Sequence, residues 1–277
     1  MPQMMKVTGI VVGLALGSTA MAGARPGAAP QTTDRTRAFT VRVTGTGNRP
    51  MILIPGLLSS GDVWDSVVEH FSSRYRLHVL TIAGLAGVPA VDGPLLPCVR
   101  DELIAYMREE NLDRPVLVGH SLGAFLAFWV ASTVPDAVGP IVAVEGVPFL
   151  PALTNPLATV ADVKTQAEQM RTLYRSMTPE QLGMQSRMAL AHMISDQANI
   201  ARAAGWAAQS DGRAAGQAIH ELMTTDLRGE AATIRSGVLL IAAAKAVAST
   251  PDRLEAVQKA YEAQVARVPH HRVAVAT

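Results

Sequence analysis

This chain has a single cysteine, Cys98, so no disulfide can form within it and the fold must hold by non-covalent contacts. Aromatic residues make up only 4% of it, which leaves alanine, valine and leucine to fill the interior. Charge is scarce and balanced, with Lys+Arg 24 against Asp+Glu 23. Without a basic run or stripe, nothing draws the chain to nucleic acid or to an anionic membrane surface. There is no Cys-x-x-Cys or His-Glu-x-x-His spacing and no phosphate-binding glycine loop, so no metal or other cofactor is expected. The chain carries no internal repeat. What is present is 277 residues, 49% hydrophobic and 17% charged. That composition describes one large core-burying domain, or one domain carrying an insertion.

The first 36 residues do not read as part of that core. "MPQMMK" carries one positive charge, "VTGIVVGLALGST" is apolar, and "AMA" at 20–22 makes a small-x-small cleavage site, with a second at 22–24. Residues 1–22 are read as a signal peptide, which makes the protein exported, to a periplasm or to the medium. The apolar run is short of the about 20 residues that span a bilayer, so no stable membrane insertion is expected after cleavage. Residues 23–36, rich in Pro, Gly and Ala, form a flexible lead-in. Cys98 is read as a small packed residue.

From residue 37 the pattern becomes regular. "AFTVRVTG" alternates as a half-buried strand does, and "PMILIPG", "LHVLTIAG", "RPVLVGHS", "PIVAVEG", "SGVLLIAAA" and "HRVAVAT" are short apolar strands. Between them, "SGDVWDSVVEHFSS" has helical spacing with Val63, Val67, Val68 and Phe71 on one face. "LPCVRDELIAYMREE" turns Val99, Leu103, Tyr106 and Met107 inward. Buried strands alternating with helices predict an α/β fold, a mostly parallel sheet flanked by helices. Core segments are expected at 37–147 and 226–277. The stretch 148–225 reads as a helical insertion, and Met170, Met177, Met184, Met188, Met193 and Met223 in it suit an adaptable apolar wall.

One short motif carries chemistry. "GHSLG", Gly119 to Gly123, follows the strand "PVLV" directly and opens an apolar helix. It resembles the G-x-S-x-G nucleophile elbow of the α/β-hydrolase superfamily, in which small residues flank a sharply turned serine. "LIPGLLSSGDVW" is similar to that family's oxyanion loop, with Pro55 where a histidine is usual. The resemblance covers about residues 37–277. It implies that Ser121 attacks a carbonyl carbon while the backbone N–H groups of Leu57 and Leu122 hold the oxyanion. It also implies that 148–225 is a cap.

The acid and the base are less plainly written. Lys245 stands where the family pattern leads to an acid, leaving Glu145, at the end of "PIVAVEG", and Asp252. Glu145 would orient a histidine, or else it is a strand-end carboxylate in a structural network. Asp252 reads better as a first-turn residue of a helix capped by Ser249 or Thr250. Of the seven histidines, His70 and His78 come too early. The elbow turns the side chain of His120 away, and His192 and His220 fall in helices of the insertion. His270 and His271 precede the last strand, so they enter about 17–20 Å from the strand ends that carry the site. The histidine expected after the last strand is not in the chain, and neither is a last helix. We read this as a C-terminal truncation.

The function this implies is hydrolysis of an ester, thioester or amide of a small apolar substrate, impaired by loss of the histidine. The alternative is a non-catalytic small-ligand binding protein on the same fold. The N-terminal segment yields a direct expectation. Mass spectrometry of the exported protein should find a mature start near Gly23, and a product retaining Met1 would contradict the signal-peptide reading.

Overall fold

The computed structural model describes residues 37–191, 193, 196–244 and 250–276. The signal-peptide and lead-in expectations, His192, Lys245 and Ser249 lie outside the described residues.

Among the described residues, seven strands form one sheet. They are β1 (Phe39–Thr44), β2 (Arg49–Ile54), β3 (Tyr75–Ile82), β4 (Val116–His120), β5 (Ile141–Val144), β6 (Val238–Ala243) and β7 (His271–Ala276). Their spatial order is β1-β3-β2-β4-β5-β6-β7. β1 runs antiparallel to β3, and every other neighbouring pair is parallel. The α-helices among the described residues are α1 (Asp65–Phe71), α2 (Leu95–Glu109), α3 (Leu122–Thr133), α4 (Val160–Ser176), α5 (Pro179–Leu190), α6 (Gln197–Ala207), α7 (Gly212–Thr224) and α8 (Pro251–Val265). Among the described residues no helix is long and apolar enough to cross a membrane.

The strands alternate as a sheet covered on both faces requires. On one face Ile52, Ile54, Leu80, Ile82 and Leu117 join a large core with residues of α2, α3 and α8. On the other, Met51, Leu53, Leu77, Val79, Val116 and Val118 pack with Trp64 and, from the α1 side, Val63, Val67, Val68 and Phe71. The predicted single helix over 60–73 is in fact a short 3-10 helix, Gly61–Trp64, followed by α1. Toward β6 the second face is less covered, and Val142, Val144, Leu239 and Ile241 are all half-buried. Helix α3, "LGAFLAFWVAST", is apolar around nearly its whole circumference, which suits a helix buried between the sheet and other helices.

Helices α4 to α7 lie between β5 and β6. Thr159 and Thr178 start α4 and α5 with reciprocal capping boxes, and Asp196 and Asp211 cap α6 and α7. Of the methionines expected to form a wall, Met170 and Met177 pack against the main core and Met223 is buried. Met184 and Met188, one turn apart on α5, are exposed.

This insertion is fastened to the sheet domain by polar contacts that the apolar pattern does not announce. The Asp211 N–H donates to Gly84 O at 2.7 Å, the Gly87 N–H to Gln209 O at 3.0 Å, and the Ala86 N–H to Ser210 Oγ at 2.9 Å. Arg202 on α6 pairs with Asp65 on α1 at 2.5 Å. The most buried of these contacts caps α2. Its N-cap residue, Pro94, has no side chain to offer, so the first N–H groups of the helix need another acceptor. Glu221 of α7 supplies it, accepting from Leu95 N–H at 3.1 Å and Leu96 N–H at 2.7 Å. Pro97 has no N–H, and the next, Cys98 N–H, donates to Pro94 O at 3.3 Å.

Glu221→Ala should therefore leave two buried donors unsatisfied, a loss of about 1–3 kcal/mol. Thermal unfolding of the variant should show a midpoint several degrees lower, with Glu221→Gln recovering part of the loss. An unchanged midpoint in the alanine variant would show that α2 does not depend on this cap.

Candidate active site

The C-terminal ends of β2, β4 and β5 lie side by side, with Ile54 opposite Gly119 and His120 opposite Val144. Open parallel sheets place their sites at these ends. Each of the three strands leads into a non-glycine residue with positive φ: Leu58 at 60°, Ser121 at 52° and Glu145 at 55°. Such backbone costs about 1–3 kcal/mol per residue and persists only where its surroundings enforce it. Ala86, Asn111 and Arg114 also have positive φ but lie elsewhere, in loops.

The surroundings of Ser121 explain its conformation. A Cβ added to Gly119 would fall 2.3 Å from Gly123 C and O, and one added to Gly123 would fall 2.1 Å from Ile54 O. The chain thus doubles back on itself so tightly that only glycine fits two positions either side of the serine. Across the strand gap, the Ser121 N–H donates to Val144 O at 2.8 Å, and a Cβ on Gly146 would fall 2.2 Å from Ser121 O. Ser121 is held from both sides, at the N-terminus of a twelve-residue helix.

Ser121 caps that helix with its carbonyl, which accepts from Ala124 N–H at 3.0 Å and Phe125 N–H at 3.1 Å, and not with its side chain. The Leu122 N–H, just after the serine, is donated to no acceptor among the described residues, and the same is true of Leu57 N–H. The candidate oxyanion loop after β2 is shaped by a turn in which Ser59 N–H donates to Gly56 O at 3.3 Å, and by Gly61 N–H donating to Thr81 Oγ1 at 2.9 Å. The positive end of the α3 dipole adds to the anion-stabilising character of this corner.

The His120 ring turns toward the oxyanion loop: a Cβ on Gly56 would sit 2.9 Å from its Nδ1. Five other described histidines lie away from the elbow. His70 is exposed at the end of α1, and His78 is buried against the Tyr106 hydroxyl at 2.6 Å. His220 lies 3.8 Å from Glu168 on α4. His270 and His271 lie at the opposite edge of the sheet, where His270 O accepts from Val238 N–H and His271 lies 3.4 Å from Glu262. Asp252 occupies the exposed first turn of α8, with Thr250 as N-cap accepting from Arg253 N–H at 3.4 Å.

Glu145 is buried and fully engaged. One carboxylate oxygen accepts the Ala243 N–H at the end of β6. The other accepts the Tyr261 hydroxyl of α8 at 3.0 Å. Burial pushes its carboxyl up to about 7, an effect the Tyr261 hydrogen bond partly opposes. Burial and the neighbouring Glu145 carboxylate in turn raise the Tyr261 phenol well above its ordinary range. The sequence pattern pointed to Glu145 but not to Tyr261 or to Gln264, which is also buried on α8. Their trace in the sequence is the spacing "YEAQV", which puts Tyr261, Gln264 and Val265 on one buried helix face.

Comparison with known proteins bears on the family and the fold. A model of the alpha/beta hydrolase family matches residues 51–277. The chain belongs to that family. A pimeloyl-[acyl-carrier protein] methyl ester esterase from Aliivibrio salmonicida is 29% identical over 139 residues, 48% of this chain and 52% of that protein. The chain spans about half the length of the curated relatives it matches. Among solved structures, a hydrolase from Pseudomonas aeruginosa superposes with a TM-score of 0.68 at 16% identity, over 86% of this chain and 85% of that one. An enol-lactonase from Burkholderia xenovorans does so with a TM-score of 0.67 at 16% identity, over 86% and 87%. At that identity these two structures speak to the fold.

Because Glu145 is raised above its ordinary value, its effect on stability has a definite sign. The folded chain keeps a proton on Glu145 where the unfolded chain has lost it, so its contribution is fully present below about 4.5 and is lost as pH rises through about 7. Glu145→Gln stays neutral throughout. Its unfolding midpoint, taken relative to wild type, should climb across that window. A difference that stays flat with pH would show that Glu145 titrates as an ordinary surface carboxylate does.

Proposed function

We propose that this protein is an exported serine hydrolase that cleaves an ester, thioester or amide of a small, largely apolar substrate. The observation that carries the reading is Ser121, strained at φ 52° between β4 and α3, with neither the Leu122 N–H that follows it nor the Leu57 N–H donated to an acceptor among the described residues. The Ser121 hydroxyl adds to the substrate carbonyl carbon and loses its proton. The two N–H groups take the negative oxygen of the tetrahedral intermediate, a kind of contact worth about 3–4 kcal/mol per donor where one has been removed. Collapse expels the alcohol, thiol or amine with a proton, and water then releases the acyl group from Ser121. The proton acceptor this scheme calls for is a histidine oriented by Glu145; with none of the described histidines in that place, water takes the proton and the step is slow.

The family match supports hydrolase chemistry, and the esterase and lactonase among its relatives and structural neighbours support an acyl substrate. An elbow and oxyanion donors acting with an incomplete triad leave about 10³–10⁴-fold acceleration over water in other serine hydrolases. Turnover of p-nitrophenyl butyrate should therefore be slow but measurable, and Ser121→Ala should bring it to background. A fluorophosphonate should label wild type at Ser121 and leave the variant unlabelled. Equal turnover by both proteins would instead make this a small-ligand binding protein.

A further inference from the structure

Helix α8 presents two buried polar side chains one turn apart, Tyr261 and Gln264, 7% and 3% exposed. Burying such groups is costly unless each finds a partner. Both find theirs in one short segment, the exit of the chain from β5. The Tyr261 hydroxyl donates to Glu145 Oε2 at 3.0 Å, and Gln264 Oε1 accepts the Phe149 N–H at 3.2 Å. That same segment backs the elbow, since Val144 O accepts the Ser121 N–H and the Gly146 backbone lies against Ser121 O. It also begins the helical insertion, and the returning chain ties to it where Leu227 N–H donates to Pro148 O at 3.0 Å. Arg228 lies over the Phe149 ring at 4.7 Å and donates to Pro156 O and Ala158 O, closing the segment from its far side.

We propose that Tyr261 and Gln264 are positioning residues for the Ser121 site, acting through the segment from Glu145 to Phe149. This rests on the reading of Ser121 as a nucleophile. Neither side chain is placed to touch the substrate carbonyl. Tyr261 sets the direction and protonation of the Glu145 carboxylate, and Gln264 sets the height of the Phe149 backbone at the root of the insertion. Glu145 Oε1 is held separately by the Ala243 N–H at the end of β6, so removing the Tyr261 hydroxyl frees one oxygen and leaves the carboxylate anchored. Tyr261 is the titratable group that faces Glu145 from α8. From β4, His120 turns its ring to the β2 side, against Gly56. A donated hydrogen bond favours the ionised carboxylate, so its loss makes Glu145 hold its proton to higher pH.

The test compares wild type, Tyr261→Phe and Gln264→Met in acylation of Ser121 by p-nitrophenyl butyrate from pH 5 to 9, with Ser121→Ala as reference. Tyr261→Phe should slow acylation several-fold at pH 6–7, shift the acid limb upward, and converge on wild type by pH 9. Gln264→Met should raise KM several-fold with its acid limb unmoved, and Gln264→Glu, which keeps an acceptor, should recover part of that. In protein labelled with ¹³C at glutamate Cδ, the Glu145 titration midpoint should rise in Tyr261→Phe. A Tyr261→Phe protein with a lower melting point but an unmoved acid limb and Glu145 midpoint overturns the proposal. If Ser121→Ala acylates as wild type does, the nucleophile reading itself fails. A Glu145 midpoint that still moves would then confine Tyr261 to a structural role.

Discussion

Everything at the candidate site depends on one close approach, that of the Gly123 backbone to the Ile54 and Pro55 carbonyls. A methyl group at Gly123 would lie 2.1 Å from Ile54 O and 2.7 Å from Pro55 O. That contact lets α3 start directly against the end of β2, with Leu122 in its first turn. The same tightness forces Ser121 into positive φ, where a side chain other than glycine's is strained. The strain is sustained because α3 is anchored by a nearly continuous apolar surface: nine of its twelve residues are buried. Burial of Phe125, Leu126 and Phe128 offsets a turn that would otherwise relax.

A second constraint is how buried polar groups find partners. The apolar core holds the sheet, but the placement of the insertion over it rests on a few side chains reaching between elements. Glu221 completes the start of α2 from α7, and Gln264 and Tyr261 hold the exit from β5. Each satisfies donors or acceptors that the chain's own neighbours leave open, which makes these contacts specific where apolar packing is permissive. The Glu145 carboxyl shows the cost of this arrangement: three elements meet at it, and burial raises it to about 7.

Much of the fold was legible from periodicity. The seven strands fall where alternating and continuous apolar patterns put them, because each strand's own side chains carry the period that the sheet faces demand. "GHSLG" was legible for a different reason. Its glycines are demanded by backbone collisions that any nucleophile elbow shares. The 3-10 turn before α1 was not, because Trp64 is buried by the sheet face and not by a helical stripe of its own. The expected methionine wall was only partly right. Met184 and Met188 fall on the side of α5 opposite Leu182 and Leu190, the residues it buries, so helical spacing itself turns them outward.

The sequence by itself determined the class of fold, the serine and its flanking glycines, and the two candidate oxyanion donors, because each is encoded within a dozen contiguous residues. The tertiary structure decided which carboxylate follows the strand next to β4. Glu145 and Asp252 are both carboxylates near strand ends in the sequence, but strand order puts β5 next to β4, while α8 carries Asp252 out to solvent. It also decided that Glu145 is bonded by Ala243 and Tyr261, which are 98 and 116 residues away along the chain. Contacts at that separation leave no local pattern, because the hydrogen bond constrains only where two distant backbones meet.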